Sequence, residues 1–164
     1  MKIEKIWRSM LLLFAVLALS AGTYSCDDDD DDNKSKRSYT ISGNANGNQM
    51  VPANDADGTG TILGTYNPNT RVLSYTTTWA DLTGTPTGGG FYSGASGVVG
   101  SIIGTPWTFD GGATGTGTRS NTMTLTAAQE EQLLGGDWYY LFTTANNSEG
   151  EIRGQITATK IPNG

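Results

Sequence analysis

From Arg71 to Ala80 the chain reads Arg-Val-Leu-Ser-Tyr-Thr-Thr-Thr-Trp-Ala, with Leu73, Tyr75, Thr77 and Trp79 at every second position. Side chains alternate across the two faces of an extended strand, so a period of two buries one face and wets the other. A helix, with its period of 3.6, cannot hold that pattern. The preceding segment, Thr59-Gly-Thr-Ile-Leu-Gly-Thr-Tyr66, alternates in the same way. Between them, Asn67-Pro-Asn-Thr70 has the chemistry of a turn, because proline presets φ and asparagine tolerates tight geometry. The spacing predicts a β-hairpin over 59–80.

Further strands are expected at 38–42, 137–144 and 151–159, with short apolar strands at 98–103 and 105–109 separated by Gly104 and Pro106. Residues 84–97, with three adjacent glycines at 88–90, read as a loop, and 111–117 carry no readable pattern. One helix is expected over Thr126–Leu134. Thr126 and Gln129 there form a capping box and Gly135 supplies a left-handed stop. The chain has 23 glycines, but its apolar residues alternate instead of scattering, which favours a folded domain over disorder. The predicted class is all-β: an immunoglobulin-like antiparallel β-sandwich or Greek-key barrel with one short helix.

The N-terminus has a different composition. Lys2, Lys5 and Arg8 precede the apolar run Met10–Leu19, and small residues Ser20, Ala21 and Gly22 follow. This is the layout of a secretory signal peptide, and the run is shorter than the roughly 18 residues of a membrane-spanning helix. Cys26, the only cysteine, stands next, followed by Asp27, Asp28, Asp29, Asp30, Asp31 and Asp32. The expected organisation is a lipoprotein signal peptide over 1–25, an acidic and polar tether over 26–38, and a β domain over 39–164. Cys26 is the expected lipidation site. Thr23-Tyr24-Ser25 matches poorly the small and apolar residues that usually precede a lipid-receiving cysteine. The aspartate run, in contrast, resembles the surface-export signal of Bacteroidota lipoproteins. The expected location is therefore the bacterial outer membrane, lipid-anchored and surface-exposed, with simple secretion as the alternative.

Composition excludes several chemistries. The chain has no histidine, which removes the commonest general base and transition-metal ligand. One cysteine excludes an internal disulfide and a cysteine-based metal cluster. From Tyr39 onward, Arg71, Arg119, Arg153 and Lys160 face nine acids, a net charge of −5, which is not the footprint of a nucleic-acid binder. Asn54-Asp-Ala-Asp-Gly58 starts like a calcium loop, but Tyr66 stands where the closing glutamate belongs, so a plain loop is expected. Glu130, Glu131, Glu149 and Glu151 read as solvent-facing charges, not a facing pair of catalytic carboxylates. Trp79, Trp107, Trp138, Tyr139, Tyr140 and Phe142 are expected in the core, with a carbohydrate-stacking platform as the alternative. No cofactor and no metal site are expected.

Three segments, in order, resemble one family. They are Ser42-Gly-Asn-Ala-Asn46 continuing to Gln49-Met-Val-Pro52; Leu73-Ser-Tyr-Thr76 to Asp81-Leu-Thr-Gly-Thr-Pro86; and the close. The close comprises Leu125-Thr-Ala-Ala-Gln129, Leu133-Leu-Gly-Gly-Asp-Trp-Tyr139, Thr143-Thr-Ala-Asn146 and Gly150-Glu-Ile-Arg-Gly-Gln-Ile156. Together they resemble the CHRD domain, over residues 39–161. The resemblance implies an immunoglobulin-like β fold and an extracellular binding or structural module. It gives Glu151, Arg153 and Gly154 a structural role, with Arg153 paired to Glu151 or to an incoming acid. Members usually carry a His-x-His pair and a further histidine, similar to part of the copper/zinc superoxide dismutase ligand set. Those positions align with Gly90, Tyr92 and Thr143 here, and the family's opening glutamate with Met50.

The expected function is a lipid-anchored, non-enzymatic module of the cell envelope. Its partners would be the membrane, through the N-terminal lipid, and an extracellular protein or glycan, with no nucleic acid. The alternatives are a carboxylate-dependent carbohydrate-active enzyme, or a relative of a metal-binding dismutase-like domain that has lost its histidines.

Overall fold

Nine antiparallel strands form one sheet in the computed structural model, which describes residues 38–109 and 113–162. The signal segment, Cys26, Asp27 to Asp32 and Asp110 lie outside the described residues. In chain order the strands are β1 (Tyr39–Asn46), β2 (Thr59–Asn67), β3 (Val72–Ala80), β4 (Pro86–Ser93), β5 (Ile102–Trp107), β6 (Gly117–Thr124), β7 (Trp138–Thr144), β8 (Ile152–Gln155) and β9 (Thr157–Lys160). One helix, α1 (Ala127–Leu134), precedes β7. The strand order is β5-β4-β7-β8-β1-β2-β3-β6, with β9 also on β1. The chain leaves β3 for β4 on the far side of the sheet and returns through β6 to β3, which is a Greek-key connection. The all-β class with one short helix stands, as a single sheet curled into a half-barrel.

Aromatic side chains hold the curl. Tyr75 and Trp79 on β3 project inward and meet residues of the opposite half: Tyr75 against Phe91 at 4.8 Å and Trp79 against Phe142 at 5.2 Å between ring centroids. Trp107 sits among them, 5.2 Å from Phe91 and 5.3 Å from Phe142. Leu73, Tyr75, Thr77 and Trp79 are all buried, as the alternation requires. Each large ring removes on the order of 150–250 Å² from water, so these few residues supply much of the folding drive. Trp79, Trp107, Trp138, Tyr139, Tyr140 and Phe142 are all buried, which rules out an exposed stacking platform built from them.

The hairpin β2–β3 forms with Thr59 opposite Ala80 and Asn67 opposite Val72. The helix starts with the expected capping box, Thr126 Oγ1 accepting from Gln129 N–H and Gln129 Oε1 from Thr126 N–H. Its stop differs by one residue. Gly135 is still right-handed, and Gly136 takes the left-handed conformation at φ +81°. Gly136 N–H then bonds Leu133 O and Asp137 N–H bonds Gln132 O, closing a Schellman motif.

Four stretches differ from the sequence reading. Residues 86–93, expected as loop, are β4, wedged between β5 and β7. Its glycines permit close packing: a Cβ at Gly89 would lie 2.6 Å from Leu141 O and 3.1 Å from the Trp107 ring. β6 carries almost no apolar residue and pairs in the sheet only with β3, so hydrophobic alternation does not mark it. The two apolar stretches at 98–109 yield one edge strand, β5, which tolerates Pro106 because its outer edge needs no donor. The closing stretch 151–159 is two strands, β8 on β7 and β9 on β1, divided at Ile156.

Gly154 lies where this closing strand crosses from one half to the other. A Cβ there would stand 2.7 Å from both Asn44 O and the Tyr140 ring. Gly154→Ala is expected to destabilise the domain by about 1–3 kcal/mol through overpacking. The check is a lowered urea midpoint with an unchanged slope.

Candidate functional site

The segment Gly150–Ile156 gathers the polar side chains that tie the loops together. Glu151 is fully buried, which corrects its reading as a solvent-facing charge; Glu149 is exposed. The Glu151 carboxylate accepts from Thr83 N–H at 2.7 Å, Thr83 Oγ1 at 2.7 Å, Thr144 Oγ1, and Asn147 Nδ2 at 3.2 Å. Burial alone would raise its pKa, but the hydrogen bonds from Thr144, Thr83 and Asn147 outweigh it and hold the carboxyl below the ordinary range. Its partners are all neutral. Arg153 does not pair with it, contrary to expectation. The one ion pair among the described residues is Arg71 with Glu130, at 3.5 Å on the surface.

Arg153 instead lies on the outer side of β8, with its guanidinium 3.5 Å from the centroid of the Tyr139 ring. Tyr139 stacks in turn on Tyr92 at 5.3 Å and 13°. Arg153 Nη2 donates to Ala95 O at 2.9 Å, Gln155 Nε2 donates to Gly94 O and Gly136 O, and the Tyr139 hydroxyl accepts from Gly100 N–H. The 94–101 loop is thereby pinned over β7 and β8. Burial lowers the Arg153 pKa, with the Tyr139 charge opposing. Asn54 fixes the opposite loop, donating to Gly150 O and Glu151 O and accepting from Ala56 N–H. The calcium-like stretch 54–58 is thus a structural loop, and the described residues contain no cluster of three or more metal-ligating side chains.

The positions aligned with the family's imidazoles come together. Gly90 and Tyr92 are two residues apart on β4, and Thr143 on β7 lies opposite Gly88. Alternation puts all three on the outward face of this half. Glycine, tyrosine and threonine there provide no imidazole for a transition metal.

The other half presents a different surface, which the sequence reading did not single out. Rows of small polar side chains cross its outward face by register. Thr40, Thr65, Ser74 and Thr122 align; so do Ser42, Leu63, Thr76 and Ser120, and then Asn44, Thr61, Thr78 and Thr118. Thr61 and Thr78 hydroxyls bond each other, and Thr76 bonds Ser120 at 2.7 Å. The signal was present as a period of two in hydroxyls, as in Ser74-x-Thr76-x-Thr78 and Thr118-x-Ser120-x-Thr122.

A Greek-key half-barrel whose closing segment holds a buried acid, an arginine stacked on a tyrosine and a glycine with no room for a side chain defines a class of β domain. Comparison with known families makes the class specific: the CHRD domain model matches residues 41–156, and the chain belongs to that family. No curated protein and no solved structure matched the chain.

Two outcomes follow from the closing segment. Glu151→Gln puts an NH₂ among donors and is expected to cost about 1–3 kcal/mol near neutral pH. Because the folded pKa is depressed, the carboxylate's contribution is complete above the unfolded value of about 4.3 and is lost as pH falls through the folded value. The stability gap between wild type and variant should therefore be constant near neutrality and narrow on acidification below about pH 4. Denaturant titrations across pH would reveal a gap that fails to narrow. Arg153→Lys removes the planar fork and the flat stack on Tyr139. Hydrogen exchange should then quicken in 94–101 while β1–β3 stay protected.

Proposed function

We propose that the chain is a non-enzymatic binding or structural module, lipid-anchored through Cys26 and displayed at the surface of a bacterial outer membrane. The observation that carries this reading is the sequence order of apolar run, Cys26, six aspartates and a CHRD domain whose described strands begin at Tyr39. Residues 27–38 contain no apolar side chain before Tyr39, a composition suited to a solvated spacer. The domain's net charge of −5 from Tyr39 onward suits a protein or glycan partner better than a nucleic acid.

The non-enzymatic part rests on how the closing motif uses its polar groups. Glu151, the acid buried among the described residues, has its oxygens taken by Thr83, Thr144 and Asn147. Glu149 is exposed, so the two do not face each other across a common cleft as a glycosidase pair would. Arg153 is engaged by Tyr139 and Ala95. These groups hold loops, and none is left poised toward a substrate.

Lipidation of Cys26 with a diacylglycerol and an N-acyl chain gives three hydrocarbon tails. At about 0.8 kcal/mol per buried CH₂, that exceeds the two-signal requirement for stable attachment. Cys26→Ala is expected to move the protein from the membrane pellet to the soluble fraction, read by detergent phase partitioning. Retention of the variant in the membrane would refute the anchor. Protease treatment of intact cells, with mass spectrometry of the N-terminus, tests display and lipid together.

A further inference from the structure

We infer that the outward face of β1, β2, β3 and β6 is a binding surface for an extended, neutral polysaccharide chain. This deepens the binding-module reading and rests on it for its setting. The positions that form the rows on this face carry no charged side chain, although the domain from Tyr39 onward has a net charge of −5. Neutrality across so many positions matches an uncharged partner and offers nothing to phosphate, sulfate or uronate groups.

The hydroxyls are set up to exchange hydrogen bonds. Each hydroxyl brings one donor and two lone pairs. The Thr61–Thr78 and Thr76–Ser120 pairs each use one donor and one lone pair internally, leaving a proton to donate and three lone pairs to accept. Sugar hydroxyls are likewise donor and acceptor at one atom. Leu63, 64% exposed in the middle row, adds an apolar spot suited to the C–H face of a pyranose ring.

Shape selects a chain over a single sugar. Two shallow depressions lie along this face, of about 480 Å³ by Leu63, Ser74, Thr76 and Ser120 and about 370 Å³ by Thr61 and Thr78. The register makes these rows neighbours, so the depressions follow one another along the strands. A protein partner is disfavoured, because protein interfaces centre on aromatic, methionine and arginine anchors. An added peptide strand would seek a sheet edge and not this face.

The test is native affinity electrophoresis of the full chain in detergent micelles, through gels containing dextran, a soluble β-1,3-glucan, galactomannan or alginate. Retardation by at least one neutral polysaccharide and none by alginate is expected. The double substitution Thr61→Val and Thr76→Val keeps β-branched shape but removes hydroxyls, and should weaken retardation about tenfold or more, the effect of losing two hydrogen bonds. Thr87→Val on β4 should leave retardation unchanged, and near-ultraviolet circular dichroism should match wild type for all. Retardation that survives the double substitution overturns this face and leaves the module reading intact. Alginate binding equal to neutral binding, or no retardation in any neutral gel, overturns the polysaccharide. Neither result bears on whether Cys26 anchors the protein, which the pellet assay reads separately.

Discussion

The closing strand belongs to both halves of the barrel at once, and the rest of the structure depends on that sharing. β8 pairs with β7, the chain passes Ile156, and β9 pairs with β1. β8 also meets β1 at Arg153 opposite Asn46, so this closing segment carries the ladder from the half led by β4 and β7 to the half led by β2 and β3. Ile152 and Ile156 fix the crossing by burial, and Gly154 permits it, because the β1 backbone at Asn44 and the Tyr140 ring from β7 leave no room for a side chain. The polar residues beside and between them use the same passage to reach the loops. Glu151 draws in the 83 and 144–147 loops, while Arg153 and Gln155 draw in the 94–101 loop. A short run of sequence thus holds the sheet together and fastens its loops at both ends.

The two halves divide the work of the surface. The β4–β7 side is covered by the loop and by the Arg153–Tyr139–Tyr92 stack. The β1–β2–β3–β6 side is bare sheet, studded with hydroxyls. Between the free edges, β5 and β6 are joined by side chains and not by a ladder. The Arg119 guanidinium lies 5.3 Å from the Trp107 ring centroid and bonds the Tyr75 hydroxyl, and Met123 reaches toward Gly104. Such a seam blunts two edges that would otherwise invite pairing with other chains.

Legibility in the sequence followed the physics that each element depends on. β2–β3 and α1 were readable because local rules specify them: a period of two around a turn, and a capping box before Leu133. β4 was not, since Pro86-Thr-Gly-Gly-Gly owes its extension to neighbours on both sides that only the fold supplies. β6 was missed because its inward positions, Gly117, Arg119, Asn121 and Met123, carry one apolar side chain among them, and a search for apolar alternation passes over the hydroxyl rows on its wet face. Glu151 looked solvated because its donors, Thr83, Thr144 and Asn147, are ordinary polar residues whose convergence is tertiary. The family motif marked the right positions, but their partners could be named only from the coordinates.

The neutral company kept by Glu151 has an environmental consequence. An ion pair at the surface weakens as dissolved salt screens it. Hydroxyl, amide and backbone donors carry no net charge for counter-ions to compete with, and the carboxylate they hold is itself buried. The fastening of these loops is therefore indifferent to ionic strength, the same in brine as in rainwater. Wherever the salt content of the medium varies, that is the more durable way to hold an acid.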